Sequence, residues 1–465
     1  MSDPHFVVLC LDTVRKDYYD QFAPRLRERA TLKFEEMRAA SSWSVPSHAA
    51  MVTGLLPSQS GVHAYNRDFS TLDSRDTWFA NWEGYHSCCI SANIYASSTF
   101  GFDTLFDDCL AISPSRRFPK GININSYIQN RGTEDGILSF IHQAAKHEYP
   151  IHSLANGGLF KFQNWAQRLP ILNPFDYGAK SITRAIKSKL TEATKPTFLF
   201  ANFMDAHGPH SPFLGLDRDL YDCPPSFTSL DFNDWDVNTA EKEGNYAKEI
   251  NYVRQLYAAE IAYLDQIISD LMDSLTKSLD RDIMFVITAD HGENLGYSED
   301  EFLINHFSSL SEALLHVPFD VYSTNHTGIV EDYTTHLDLG EIATNLREEA
   351  SMEAYTRSTI PAEIAGCGSK IPDETSDYWD RAQRAVYRDG RKYVCDEYGE
   401  TNVYDVVGDP SIQYPLSDEN VPDDLFDEVF DVSFEELAHR ANAGSTTHAI
   451  AASTKSRLQE LGYLS

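Results

Sequence analysis

Four compact, largely apolar runs punctuate the chain: Phe6–Leu11, Thr197–Phe203, Ile283–Thr288 and Val317–Tyr322. Each is six or seven residues long, too short for a helix that must bury a face and the right length for a strand covered on both sides. Between the second and third runs, Val253, Leu256, Tyr257, Ile261, Leu264, Ile268, Leu271 and Leu275 recur at three- and four-residue steps. That is the period of an amphipathic helix able to cover a sheet. The alternation predicts an α/β fold whose large domain, 1–373, has a central mixed, mostly parallel sheet flanked by helices. Within it, 123–195 lacks a clean period and reads as a variable insert; it ends in a basic run, Lys180, Arg184, Lys187, Lys189 and Lys195, taken as a solvated helix face. Past Glu374 the composition turns strongly acidic while Arg384–Val394 and Asn402–Val406 keep strand character. This predicts a small C-terminal α+β subdomain over 374–465.

Charge changes the picture of the surface. With 38 Lys and Arg against 70 Asp and Glu, the formal net charge is −32. Such a field repels nucleic acid and anionic membranes from the general surface. Because the acidic excess is spread along the chain, it predicts a solvated surface in the high-salt cytoplasm of a halophilic archaeon. Self-repulsion should then weaken the fold in dilute buffer and be screened within about 3 Å at ~1 M salt. The melting temperature is therefore expected to climb steeply between dilute and molar KCl; a flat curve would remove the halophilic reading. The seven cysteines are odd in number, scattered, and never spaced as a paired metal clip, which fits thiols in a reducing compartment. No apolar run approaches the ~18 residues of a membrane span, and the chain enters a strand almost at once. The expectation is a cytoplasmic protein without a membrane span; its oligomeric state is not legible.

Chemistry enters where buried strands end in polar residues, since ligands of open α/β sheets bind beyond the carboxyl ends of the strands. The first run leads into Asp12, the second into Asp205-Ala206-His207, and the third into Asp290-His291-Gly292-Glu293. One such Asp is usually a turn former or cap. Three together bring carboxylates and imidazoles from separate strands to one edge, the convergence that a divalent ion needs. A fourth element is Ser44-Val45-Pro46-Ser47-His48-Ala49-Ala50-Met51-Val52-Thr53-Gly54. Pro two residues after Ser, followed by small and apolar residues up to a Gly, suits a turn opening a helix, with Ser44 at an N-terminus that favours an anion.

This segment resembles the signature of the sulfatase family, in the alkaline-phosphatase-like superfamily. There a Cys or Ser that becomes formylglycine is followed by x-Pro-x-Arg and an apolar run to Thr-Gly. Ser44, Pro46, His48 and Thr53-Gly54 stand at these places. Asp12 resembles the family's first metal aspartate, Asp290-His291 its second metal pair, and Asp205 to Pro209 its substrate-facing His-x-Pro segment. Tyr257, Ile261 and Asp265 are similar to its long helix, His306 and Glu312 to Pro318 to the approach to its next strand, and Arg391 to Pro410 to its C-terminal subdomain. Leu458 to Leu464 resembles its common ending.

The resemblance implies an alkaline-phosphatase-like large domain and a metal-dependent hydrolase of sulfate esters. One divalent ion would be held by Asp12, Ser44, Asp290 and His291: Ca for a sulfatase, with Mn, Mg or Zn equally compatible with oxygen and imidazole donors. Ser44, His48, His207 and His306 would be the catalytic residues, with a covalent intermediate on residue 44 and no organic cofactor. The substrate would be a small anionic ester such as a sulfated sugar. Departures keep a second reading open, phosphodiester hydrolysis or phosphoglycerol-type transfer. Asp12 is followed by Thr13 rather than a second Asp, His291 replaces Asn, and His48 replaces Arg, a partly charged ring in place of a permanent cationic fork. The Gly-Lys-Trp-His stretch, with its sulfate-contacting lysine, is absent; Gly84-Tyr85 leads instead to Ile90-Ser91-Ala92-Asn93. Conversion of Ser44 to formylglycine stays open, and a sulfatase-like binding protein without catalysis is a third reading.

Overall fold

The apolar runs build the middle of one eight-stranded sheet. In the computed structural model, which describes residues 3–437 except 114–116, 119, 125–126, 128–136, 167–172, 240–245, 307, 352–356, 368–370 and 372–375, its strands are β1 (His5–Leu11), β2 (Leu32–Phe34), β3 (His86–Ser91), β4 (Asp108–Ala111), β5 (Thr197–Phe203), β6 (Ile283–Thr288), β7 (Phe319–Tyr322) and β8 (Gly328–Val330). Their order in space is β8-β2-β7-β6-β1-β5-β3-β4. Every residue of β1, β5 and β6 is buried, which is why these strands read as continuous apolar runs rather than alternating ones. β1 lies parallel to both β5 and β6, and β3 parallel to β5 and β4. β7 is antiparallel to β6 and starts at Phe319, after Pro318, which has no N–H to give to a ladder.

Three segments position the site or the surface around it. α1 (Ser44–Thr53) stops at Gly54, whose φ of 74° is the left-handed cap conformation; a Cβ there would sit 2.9 Å from the Leu337 carbonyl oxygen. The insert after β4 contains α2 (Ile137–Lys146), α3 (Pro150–Ala166) and α4 (Ala179–Glu192). The expected long helix is α5 (Ala247–Ser278), which buries Leu256, Tyr257, Ile261, Leu264, Ile268, Leu271 and Leu275. Among the described residues, no helix is long and apolar enough to cross a membrane.

A second, antiparallel sheet follows, with β9 (Thr359–Ile364), β10 (Gln383–Arg388), β11 (Arg391–Asp396), β12 (Thr401–Asp405) and β13 (Tyr414–Pro415) in sequential order. The expected single strand Arg384–Val394 is a hairpin, because Asp389-Gly390 takes positive φ at both residues (53° and 76°), the turn that Asp-Gly favours between paired strands. A buried ionic cluster rivets this sheet to the large domain. Glu312 lies 3.0 Å from Arg38 Nε and 3.3 Å from Lys392 Nζ, and it also accepts from the Tyr387 hydroxyl. Leu458 to Leu464 lies outside the described residues.

Candidate active site

The parallel registers decide which side chains meet. Cys10 pairs with Asn202 and Thr288, and Ser91 with Asn202, so β1, β3, β5 and β6 end level and deliver Asp12, Asn93, His207 and Asp290-His291 to one edge. Ser44, the first residue of α1, enters from the helix layer. Its Oγ lies 3.5 Å from Asp12 Oδ1, 3.4 Å from His291 Nε2 and 3.1 Å from Asn93 Nδ2. Asp12 Oδ2 accepts from Asn93 Nδ2 at 2.7 Å and from Asn202 Nδ2 at 3.0 Å. Asp290 Oδ1 accepts from the Thr13 and His291 amides at 3.2 and 3.0 Å, while its Oδ2 is buried without a hydrogen-bond partner among the described residues. Thr13 turns its amide toward Asp290 by adopting φ 63°, a conformation costly for a β-branched residue. The Thr13 hydroxyl on Ala206 O (3.0 Å) and the Tyr257 hydroxyl on Thr13 O (2.5 Å) hold it there.

Asp12 and Asp290 are fully buried, and among the described residues no Lys or Arg donates to either. Burial pushes Asp290 up to about 7, and burial, then the charge of Asp290, raises Asp12. One ligand atom each from Asp12, Asp290 and His291 lies within 4.8 Å of the others. Burial, then His306, lowers His291 to about 3, which leaves its imidazole neutral with a lone pair to offer. Two uncompensated carboxylates, an orphaned oxygen and a neutral imidazole are a donor set that fits a divalent cation.

The three remaining histidines named from sequence occupy different layers. His48 lies wholly buried under the edge, its Nε2 3.1 Å from Asn202 Nδ2, 3.6 Å from Asp290 Oδ2 and 4.0 Å from Cys10 Sγ. Its ring packs against those of Phe102 and Phe200, 5.8 Å from each centroid, and burial, then His291 and His336, lowers it to about 3. His207 Nδ1 donates to Gly208 O at 2.6 Å, and its Nε2 is 4.0 Å from Asp12 Oδ1. The His306 ring centroid lies 4.7 Å from that of His291 and 5.3 Å from that of His207. Its Nδ1 is 3.2 Å from the Glu293 carboxylate, which burial pushes up to about 7. Asp205 is turned away and accepts from the Tyr177 amide at 2.9 Å. His210 pairs with buried Glu260 at 2.7 Å, and His316 binds Glu35 O at 2.7 Å.

A sulfatase family model matches residues 4–342. The chain belongs to the sulfatase family. Among solved structures, this sulfatase-family chain is similar to the phosphonate monoester hydrolase of Agrobacterium radiobacter (14% identity, 97% of this chain and 96% of that one, TM-score 0.59). It is also similar to the phosphonate monoester hydrolase SpPMH of Silicibacter pomeroyi (15% identity, 88% and 90%, TM-score 0.56). A third is a protein in complex with its substrate D-glucosamine-2-N,6-O-disulfate (13% identity, 99% and 97%, TM-score 0.55). At such identities the likeness shows a shared fold. No curated protein matches the chain in sequence. Family membership supports a hydrolase and, with the cluster above, a divalent metal.

Three residues of this sulfatase-family site were not picked out from sequence. Asn93 stands two residues past β3, the same signal that marked Asp12 and Asp290. Asn202 is a polar side chain inside an otherwise apolar strand, a pattern that flags a buried partner. Glu293 was visible only as the end of the Asp290-His291-Gly292-Glu293 stretch, and its pairing with His306 depends on a contact across 13 residues.

Proposed function

We propose that this protein is a metal-dependent hydrolase of sulfate esters with Ser44 as its nucleophile. The observation that supports this is the placing of Ser44 Oγ within 3.5 Å of Asp12, His291 and Asn93, beside the orphaned oxygen of Asp290. Asp12, Asp290, His291 and Ser44 would hold the ion, Ca in the sulfatase reading and Mn, Mg or Zn otherwise. When bound, it lowers the pKa of the Ser44 hydroxyl and screens the ester's oxygens. With two carboxylates against one divalent ion, the centre is close to neutral, which suits a singly charged ester better than a phosphate monoester dianion.

Asn93 donates to Ser44 Oγ and to Asp12, fixing the direction of the attacking lone pair. Ser44 opens α1, and the partial positive charge of that helix N-terminus favours the negative charge that develops there. Attack of Ser44 Oγ, whose proton has passed to solvent, on the central atom breaks the bond to the ester oxygen, and the departing alkoxide takes the Nε2 proton of His207 in its imidazolium form, the Nδ1–H staying on Gly208 O. His306 stands beside it, its Nδ1 held by Glu293 and its Nε2 on the far side of the ring. Water then releases the oxyanion from residue 44. The substrate would be a small anionic ester, a sulfated sugar among them.

Phosphodiester hydrolysis or transfer is the second reading, favoured by the nitrogen donor His291 and by the neutral, buried His48 where an Arg would place a fixed charge. An aryl sulfate and a bis-aryl phosphate, each assayed with and without chelator, separate the two. Faster chelator-sensitive turnover of the sulfate is expected; faster turnover of the diester would transfer the assignment, and chelator-insensitive turnover would defeat both. In a heterologous host Ser44 is expected to stay serine. A loss of two hydrogens from its peptide in the mass spectrum would show conversion to formylglycine and commit the site to sulfate.

A further inference from the structure

The insert between β4 and β5 differs from the rest of the molecule in charge. Residues 112–196 hold twelve Lys and Arg against five Asp and Glu, a net +7 within a chain of −32. Its outer part is the helical pair α2 and α3. A Cβ at Gly157 would meet the Phe140 ring at 2.2 Å, so the two helices touch closely there. The inner face of α3 is anchored: Ser153 and Asn156 are buried, and Asn156 Nδ2 donates to Phe118 O and Ile122 O at 3.0 and 3.1 Å.

Large apolar side chains are exposed along the pair: Ile141 on α2, Tyr149 in the connection, and Ile151, Leu154 and Phe162 at helical spacing on α3. Ile151 is 79% exposed, with Ile141, Phe162, Leu154 and Tyr149 between 44% and 37%. Lys146 and Lys161 are exposed among them, and Glu148 is the one acidic residue in 137–166. Lys180, Arg184 and Lys187 line the exposed side of α4.

We propose that the α2–α3 pair is a docking surface for an anionic lipid bilayer, lying in the plane of the headgroups. An exposed apolar stripe interleaved with lysines is what an interfacial helix needs, the apolar side chains entering the acyl boundary while the cations meet lipid phosphates. The helices have 10 and 17 residues, short of the ~20 of a span, so they rest on the surface. The strongly acidic remainder is repelled by the same bilayer, which leaves this face as the one that can approach and orients the molecule. An acidic surface of a second copy would satisfy the lysines but would cover Ile151 and Leu154 with carboxylates. The insert leaves β4 at the carboxyl edge of the sheet, the edge that carries Asp12, Asn93 and Asp290.

The test is co-sedimentation of the full chain with vesicles of phosphatidylcholine, alone or mixed with phosphatidylglycerol, at the lowest salt at which melting shows the protein folded. Binding to the mixed vesicles is expected to exceed binding to the neutral ones by at least about tenfold. It should fall by a similar factor in Ile151→Asp/Leu154→Asp and in Lys146→Glu/Lys161→Glu. Unchanged melting of both variants shows that the fold survives, and the result does not depend on which ester is hydrolysed. Failure of the native chain to sediment with the mixed vesicles overturns the proposal, as does sedimentation of the two variants undiminished from that of the native chain. A dimer in light scattering that Ile151→Asp/Leu154→Asp abolishes, without vesicle binding, would assign the face to a second copy instead.

Discussion

Asp290→Asn is expected to reduce hydrolysis by at least about 10³-fold, the order lost when one member of a catalytic constellation is removed, while metal-free protein melts at or above the temperature of the metal-free parent. The two effects have opposite signs because Asp290 serves the site and burdens the fold. Its Oδ1 accepts two backbone amides, which an Asn oxygen can still do. Its charge, in contrast, lies buried near that of Asp12 with no basic side chain donating to either among the described residues. In the absence of an ion, removing one charge removes a desolvation cost and a repulsion. Calorimetry with and without chelator, together with metal content by elemental analysis, checks both halves. Full metal content and activity in the variant would refute the proposed ligand set, and a large drop in metal-free melting temperature would show that the carboxylate is a structural element instead.

Glu312→Ala should produce the largest loss of stability, about 3–5 kcal/mol, the magnitude found when one partner of a buried ion pair is deleted. Glu312, Arg38 and Lys392 are each at most 1% exposed, so deletion strands two cations away from water. Arg38 would keep Glu36 at 3.0 Å and its ring contacts with Tyr333 and Tyr387; Lys392 would keep Leu310 O at 2.9 Å and the Gln413 amide. Adding Lys392→Met should recover part of the loss, because it removes one stranded charge. Denaturant midpoints for the two single variants and the double variant measure this coupling. Since Lys392 and Tyr387 belong to the C-terminal sheet and Arg38 and Glu312 to the large domain, the loss is expected as one cooperative transition; a separate early transition of the C-terminal sheet would show that the rivet is not shared.

The sequence by itself determined the middle of the sheet, the long helix and the strand ends at which the proposed site gathers. Burial on both faces leaves an unbroken apolar run, and a helix that covers a sheet leaves a three-and-four spacing; both are local signals. Asp12, Asp290 and His291 were legible for the same reason, as polar residues immediately after such runs, and Ser44 through the Pro and Gly that bracket its helix. The Asp389-Gly390 turn was legible too, but the apolar character on either side merged two strands into one. Only the tertiary structure decided what each polar group faces. A strand end points its next residues up or down according to register and backbone twist, so Asp205 turned to the Tyr177 amide while His207 turned toward Asp12. His48 stands four residues past Ser44, one helical turn, yet it lies beneath Asp290 and Asn202 because α1 packs that face on β1 and β5. Asn93, Asn202 and Glu293 joined the site through pairings between strands and loops far apart in the chain, and the upward shift that burial imposes on the Asp12 and Asp290 carboxyls has no trace in their neighbours along the sequence.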